Sequence, residues 1–465
     1  MLKPRAVLLA IAFFFFVFFL RWNSFTTPFE RDEGEYAYGA WIITQGVFPY
    51  KDTFLQKPPL IIYTYLLGEI IAPGTLWFPR LLAVIFTVAT AWFLAKIAQE
   101  KISRQAFWPV MFLYPLLAWS PINSGLAANT EIFMLLPLSV LLWKKNAFLS
   151  GTMAALALLY KPICLYVVAG VLMIRIINTV GRWRYLWQCG LGFMGVTVLV
   201  MLPVVLTGVW GDFWEQVVVF NALYAKQWGM SLMPMFTNLK TMGQSFWGVY
   251  LLLLVGIFLL KKNRVWYLYL LLGFLAVFQT TIRHYYLLLI PFATLISVDM
   301  IFDLPVKKHI RVFCSGVLLL TILWPIRQQF SLTPPELSRW IYGDVNPFVE
   351  SPKIAEELVK ITDEKDCVFV AGSEPQILYY AGRNSCTKFN ITYPLIIDST
   401  KREVYQQEIE KELQTKKPRA MVVSTLAHSG LWDDNNKELL EFTKKMLDNY
   451  QSVFKEGGLI LYERK

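Results

Sequence analysis

Glu30-Arg31-Asp32-Glu33-Gly34-Glu35-Tyr36 is the densest run of charge in residues 1–326, a stretch with only 12 acidic side chains in all. It follows an apolar run near 5–22, long enough to cross a bilayer, so it sits where lipid head groups begin. A carboxylate placed there can take the proton of a hydroxyl acting as nucleophile, and Lys57 can hold a departing phosphate as a point charge. Lys51 and Asp52 add charge to the same loop. Simple solvation of a water-facing loop is the alternative reading. Asp32 and Glu33 are the candidate catalytic pair, and Lys57 is the first candidate phosphate ligand.

Further candidates lie along the chain. Glu131 opens an apolar run; an acid there is mildly favoured at a helix N-terminus, but at a membrane face it is costly and usually partnered. Lys161 lies between two short apolar runs and either snorkels or binds phosphate, and Arg80 is open to the same two readings. Arg283 sits at an outer helix end and carries a permanent, forked charge suited to phosphate. Glu131, Tyr36, His284 and Tyr285 are candidates for holding acceptor or sugar. Three histidines, well separated in sequence, make a histidine zinc site unexpected; His309 and His428 read as structural or solvated. An Asp-Glu pair can bind a divalent cation, yet no obligatory metal or other cofactor is expected. No G-x-G-x-x-G opens a helix, and there is no P-loop.

The elements that must position these residues are mostly apolar. Charged residues make up 17% of the 465, against about 25% in soluble proteins. Residues 1–326 hold 25 basic and 12 acidic side chains, and residues 327–465 hold 19 and 21. The basic excess lies in short clusters between apolar runs, which sets membrane orientation and argues against a nucleic-acid partner. Spans are expected near 5–22, 76–97, 106–120, 130–143, 147–160, 162–178, 185–207, 245–260, 265–281, 285–302 and 309–326. Alternate loops carry 16 of the 25 basic residues, from Lys3 and Arg5 through Lys144 and Lys145 and the Lys261 cluster to Lys307, Lys308 and Arg311. That places the N-terminus in the cytoplasm and the tail outside it. The first run has no small-x-small cleavage site and reads as an uncleaved span. Outer loops 23–75 and 208–244 contain amphipathic stretches at 32–44, after Pro59, and at 212–224, the last rich in aromatic residues. The tail alternates helices (352–361, 400–414, 435–449) with strands (367–371, 420–424, 459–462), as an α/β domain does. Of five cysteines, Cys164, Cys189 and Cys314 fall in apolar runs. Cys367 and Cys386 lie in the tail; if the tail is extracytoplasmic they could pair, but the sequence supplies no geometry that decides it.

The string RDEGEYAYGAWIITQGVFPYKDTFLQKPP resembles the first outer loop of GT-C glycosyltransferases that use polyprenyl-phosphate sugars. That group includes the protein O-mannosyltransferases and the lipid A aminoarabinose transferases. Asn129-Thr130-Glu131, Lys161-Pro162, Asp212-Phe213-Trp214 through Asn221 and Tyr224, and Arg283-His284-Tyr285-Tyr286 are similar to later outer-loop motifs of the group. Val370-Ala371-Gly372-Ser373-Glu374-Pro375 is similar to extracytoplasmic domains of bacterial members. The resemblance implies that Asp32 positions and deprotonates the acceptor, with Glu33 as companion and Lys57 close to the donor phosphate. The aminoarabinose transferases carry arginine where this chain has Glu35, so their own acceptor and donor contacts do not transfer.

The expectation is therefore a polytopic α-helical membrane protein of GT-C type. It has about 11 transmembrane helices, a catalytic part over 1–329, and an extracytoplasmic α/β domain over 330–465. It would sit in the plasma membrane and move a sugar from a polyprenyl-phosphate donor to a glycolipid, protein or polysaccharide hydroxyl, with inversion. A lipid or solute transporter is the reading from another class; it predicts a file of polar groups through the bilayer instead of a cluster at one face.

Overall fold

The structure is a computed structural model that describes residues 4–227, 232–260, 262–397, 399–426 and 437–465. Lys3, Lys261 and His428 lie outside the described residues. The chain forms two compact units, one of residues 1–25, 80–200 and 230–332, the other of 26–79, 201–229 and 333–465. The division therefore does not fall at 329/330. Most of the loop 23–75 and residues 208–229 of the loop 208–244 fold with the tail.

The first unit is helical. All eleven apolar stretches read as spans are helices, from Pro4–Arg21 to Lys308–Ile326. Trp77–Lys101, Arg182–Leu206, Arg283–Asp303 and Lys308–Phe330 are long and apolar enough to cross a membrane. A further pair, Met233–Ser245 and Trp247–Leu259, is bent by 106° at its break. Thr130–Trp143, Ala147–Tyr160 and Val265–Val277 are shorter apolar helices. Arg182–Leu206 leaves Trp187, Leu191, Met194 and Leu199 exposed. In water so large an apolar face would be unstable; in a bilayer it meets lipid tails. Arg283–Asp303 is instead 83% buried, so it is a central helix. The chain is a multi-pass membrane protein.

The second unit is built on a five-stranded sheet, β1 (Cys367–Ala371), β2 (Asn384–Ser385), β3 (Ala420–Ser424), β4 (Tyr450–Glu456) and β5 (Leu459–Arg464), in the order β2-β1-β3-β5-β4. β1 pairs in parallel with β2 and β3, and β5 pairs antiparallel with β3 and β4. The apolar runs of β1 and β3 are buried along nearly their whole length, as central parallel strands require. β4 has exposed positions at Gln451, Ser452 and Val453. It lacks the apolar run that marks the inner strands, which is why the sequence does not reveal it. Cys367 and Cys386 form a disulfide with Cα atoms 4.8 Å apart. β2 lies beside β1 and so brings together two cysteines 19 residues apart, a pairing that the sequence leaves open.

Loop residues complete this unit's core. Phe54 and Phe220 pack with Phe369, Phe389, Leu395, Tyr405 and Met421, and the Phe54 N–H donates to the Lys388 carbonyl at 2.6 Å. The helix Arg31–Thr44 lies close against the helix Pro375–Ala381. A Cβ at Gly34 would stand 2.7 Å from the Gln376 Cβ and 2.8 Å from its backbone nitrogen. Gly34→Ala is expected to cost about 1–3 kcal/mol by overpacking, read as a lower unfolding temperature of the purified protein.

Candidate functional site

The helix Arg31–Thr44 begins with a capping box made of carboxylates. Glu30 is the N-cap, and its Oε1 accepts from the Glu33 N–H at 3.2 Å while Glu33 Oε2 faces the Glu30 N–H at 3.5 Å. The reciprocal arrangement satisfies two of the amide donors left open at a helix start. Glu33, expected as a catalytic companion, is thus built into the cap and buried. Asp32, between them in the first turn, pairs with Lys57: Nζ lies 3.5 Å from Oδ1, with the side chains 10% and 18% exposed.

Lys57 is placed by its loop. Pro58 and Pro59 start the next helix, Pro59–Ile71, where proline loses no hydrogen bond. Gln216 ties the preceding turn: its Oε1 accepts from the Leu55 N–H at 2.9 Å, and its Nε2 donates to the Tyr50 carbonyl at 2.5 Å. The Tyr50 hydroxyl donates to the Lys57 carbonyl at 2.9 Å. Asn221 donates to the Gln56 carbonyl at 2.7 Å, and Glu35 accepts from the Gln56 N–H at 3.3 Å. Gln216 carries no sequence signal of this role, because it lies inside a run read as interfacial packing.

Arg31 holds the helix start from the other side. Its guanidinium meets Glu374 at 2.8 Å, the Ser373 carbonyl at 2.5 Å and the Tyr393 hydroxyl at 3.2 Å. The Phe29 N–H donates to the Tyr380 hydroxyl at 2.6 Å. Tyr36, expected to face sugar, is fully buried, with its ring 5.4 Å from that of Tyr65. A ring so enclosed is packing and offers no open face for stacking.

The membrane unit carries a second cluster. Glu131, fully buried at the start of the helix Thr130–Trp143, accepts from Lys161 Nζ and from the Thr130 hydroxyl at 3.0 Å. His284 Nε2 is 3.8 Å from the same carboxylate, and Lys161 Nζ lies 3.7 Å above the Tyr285 ring. Lys161 ends the helix Ala147–Tyr160 in an extended conformation, as a residue before proline must, and Pro162 begins a 3₁₀ turn. Arg80 is buried and donates to the Phe25 carbonyl at 3.2 Å. Arg21, which the sequence analysis does not single out, is also buried, donates to the Leu126 carbonyl at 2.9 Å and stacks over Trp119. Arg283 is exposed and enters no ion pair among the described residues. Four of the expected residues, Glu131, Lys161, His284 and Tyr285, are thus brought together. Among the described residues no group of three His, Cys, Asp or Glu side chains is placed to hold a metal ion.

No family model matches the sequence, and no curated protein does. Solved structures do. ArnT from Cupriavidus metallidurans bound to undecaprenyl phosphate matches with a TM-score of 0.63 at 11% identity, over 99% of this chain and 98% of that one. The same protein in its apo state gives 0.58 at 12%, over 98% and 97%. The archaeal oligosaccharyltransferase AglB from Archaeoglobus fulgidus, in complex with an inhibitory peptide and a dolichol-phosphate, gives 0.51 at 12%, over 100% of this chain and 74% of that one. At these identities the likeness is one of fold: the chain folds as ArnT and AglB do.

Two tests follow from the clusters. Lys161→Met leaves a buried carboxylate without its ammonium and is expected to cost about 3–5 kcal/mol, whereas Lys161→Met with Glu131→Leu recovers most of it; denaturant unfolding in detergent reads both. The Glu30 carboxyl is pushed from 4.5 up to about 8, first by burial and then by the nearby Asp32 and Glu33 charges. The folded state therefore binds this proton more tightly than the unfolded state, and the stability it contributes is lost as pH rises from 4.5 through about 8. Glu30→Gln should flatten the fall in unfolding temperature across that window.

Proposed function

We propose that this membrane protein is a glycosyltransferase that moves a sugar from a polyprenyl-phosphate donor to an acceptor hydroxyl on the extracytoplasmic face, with inversion at the sugar carbon. The observation that carries this reading is Asp32 held 3.5 Å from Lys57, both largely buried, on the first helical turn after the first apolar helix. It stands in a chain with the fold of ArnT, whose structure holds undecaprenyl phosphate, and of AglB, whose structure holds a dolichol-phosphate.

In the proposed step the acceptor oxygen attacks the anomeric carbon and gives its proton to Asp32. The bond from that carbon to the phosphate oxygen breaks, and the polyprenyl phosphate leaves with the electron pair. Lys57 balances charge beside Asp32. Glu33 acts indirectly, by fixing the turn that presents Asp32. Fixed charge and position supply most of the rate in such a displacement. The leaving phosphate is already activated, so no nucleotide enters the step. The Cys367–Cys386 disulfide supports an extracytoplasmic tail, because such bonds persist in oxidising compartments. The basic loops support a cytoplasmic N-terminus.

Purified protein given radiolabelled polyprenyl-phosphate sugars should release or transfer the sugar. Asp32→Asn should lower turnover about 10²–10⁴-fold, the range expected for loss of a general base, in a protein that stays folded at the assay temperature although Lys57 has lost its charged partner. Full activity in that variant would remove Asp32 from the mechanism.

A further inference from the structure

The step just described leaves unused a cleft of about 400 Å³ in the second unit. Its lining joins the helix Arg31–Thr44, the loop that follows it, and the sheet edge at β2. Two of its lysines are neutralised, Lys388 by Glu408 at 2.8 Å and Lys416 by Glu412 at 3.3 Å. Lys51, Asp52 and Asp212 also line it and enter no ion pair among the described residues. The uncommitted charge is thus two carboxylates against one ammonium. That balance rejects a polyanion and calls for hydrogen-bond donors.

The remaining lining narrows the ligand. Asn384 and Ser385 are β2 itself, the edge strand of the sheet, so their backbone groups on the outer side have no neighbouring strand. Val47, half-buried, adds an apolar patch, with only the edges of the almost fully buried Tyr38 and Ile42 beside it. Carboxylate acceptors, amide and hydroxyl groups and an apolar patch together match a sugar ring, which presents hydroxyls around its rim and C–H bonds on its face. The strand edge is rigid. The Tyr38 hydroxyl accepts from the Ser385 N–H at 2.9 Å, and Cys386, the next residue, is held by the disulfide. Tyr38 follows Asp32 by six residues on one helix, about 9 Å along its axis at 1.5 Å per residue.

We infer that this cleft holds the acceptor, and that the acceptor is an uncharged polyhydroxylated chain, a glycan. The inference rests on the transferase reading, with the acceptor's reacting end at Asp32 and its further sugars in the cleft.

The test is saturation-transfer NMR on the full chain in detergent, without donor. The probes are maltotriose, cellotriose and chitotriose, with inositol hexakisphosphate as the polyanion. At least one trisaccharide should bind. Asp52→Ala with Asp212→Ala should weaken it about tenfold, equal to about 1.4 kcal/mol, while unfolding at the wild-type temperature shows that the variant is folded. Preference for the polyanion, equal trisaccharide binding by wild type and variant, or no trisaccharide binding would each overturn the inference. Because donor is absent, the result is independent of turnover. Trisaccharide binding by a protein that transfers no sugar would overturn the acceptor role and the transferase reading, and leave a carbohydrate site.

Discussion

Arg31 is a charge that the fold has taken largely out of water, with its side chain 14% exposed. A guanidinium can stay there only if its charge and its donors are met, since an uncompensated buried charge is strongly destabilising. Glu374 supplies the charge, and Ser373 and Tyr393 supply acceptors. Each of these is fixed in turn. Glu374 also accepts from Gln376 at 2.7 Å, and Ser373 shares a hydrogen bond with Thr392 at 2.6 Å. The first turn of the helix Arg31–Thr44 is therefore immobilised one residue before Asp32. A carboxylate on a loop would lose its aim to thermal motion. One placed beside a clamped residue, and paired with Lys57, keeps its direction.

The membrane unit solves a similar problem with a different device. Glu131 is fully buried, so its charge needs a partner on a neighbouring helix. A lysine inside a continuous helix would carry its ammonium along the helix surface. The Lys161-Pro162 step breaks the helix there, and the extended backbone turns the side chain toward Glu131 and Tyr285. Both clusters thus set a charged group at a helix terminus and fix it with a proline that cannot continue the preceding conformation.

The parts legible in the sequence are those written in local pattern. Apolar length marked the helices from Pro4–Arg21 to Lys308–Ile326, and alternating strands and helices marked β1, β3 and β5. The outer-loop motifs named Asp32, Lys57, Glu131, Lys161 and His284, which the structure finds in two paired clusters. What stayed hidden depends on partners distant in sequence. The role of Arg31 is set by a residue 343 positions away, and Gln216 acts on a turn 161 positions upstream. Tyr36 stands at helical spacing with residues expected to face a ligand, yet Tyr65 covers it. Nothing in the spacing distinguishes a ring that meets sugar from one that meets another ring. The sharp bend at Phe246 was equally silent, because no proline or glycine stands at that residue.

The tail bears on all of this in a way its composition does not suggest. Its charge-rich sequence reads as a separable soluble domain, and a domain needs its own core. The core it has is shared. Phe54 and Phe220 come from the outer loops and are as buried as the sheet's own Phe369 and Met421. A tail folded alone would expose the surface these rings cover, and loops without the tail would leave two phenylalanines in water, each losing about 1.5–3 kcal/mol of burial. Long outer loops ordinarily carry a large entropy penalty to order. Here the hydrophobic burial that orders them is the same burial that completes the sheet, so the turn carrying Asp32 and the loop carrying Lys57 are ordered by folding itself and not by the arrival of a substrate.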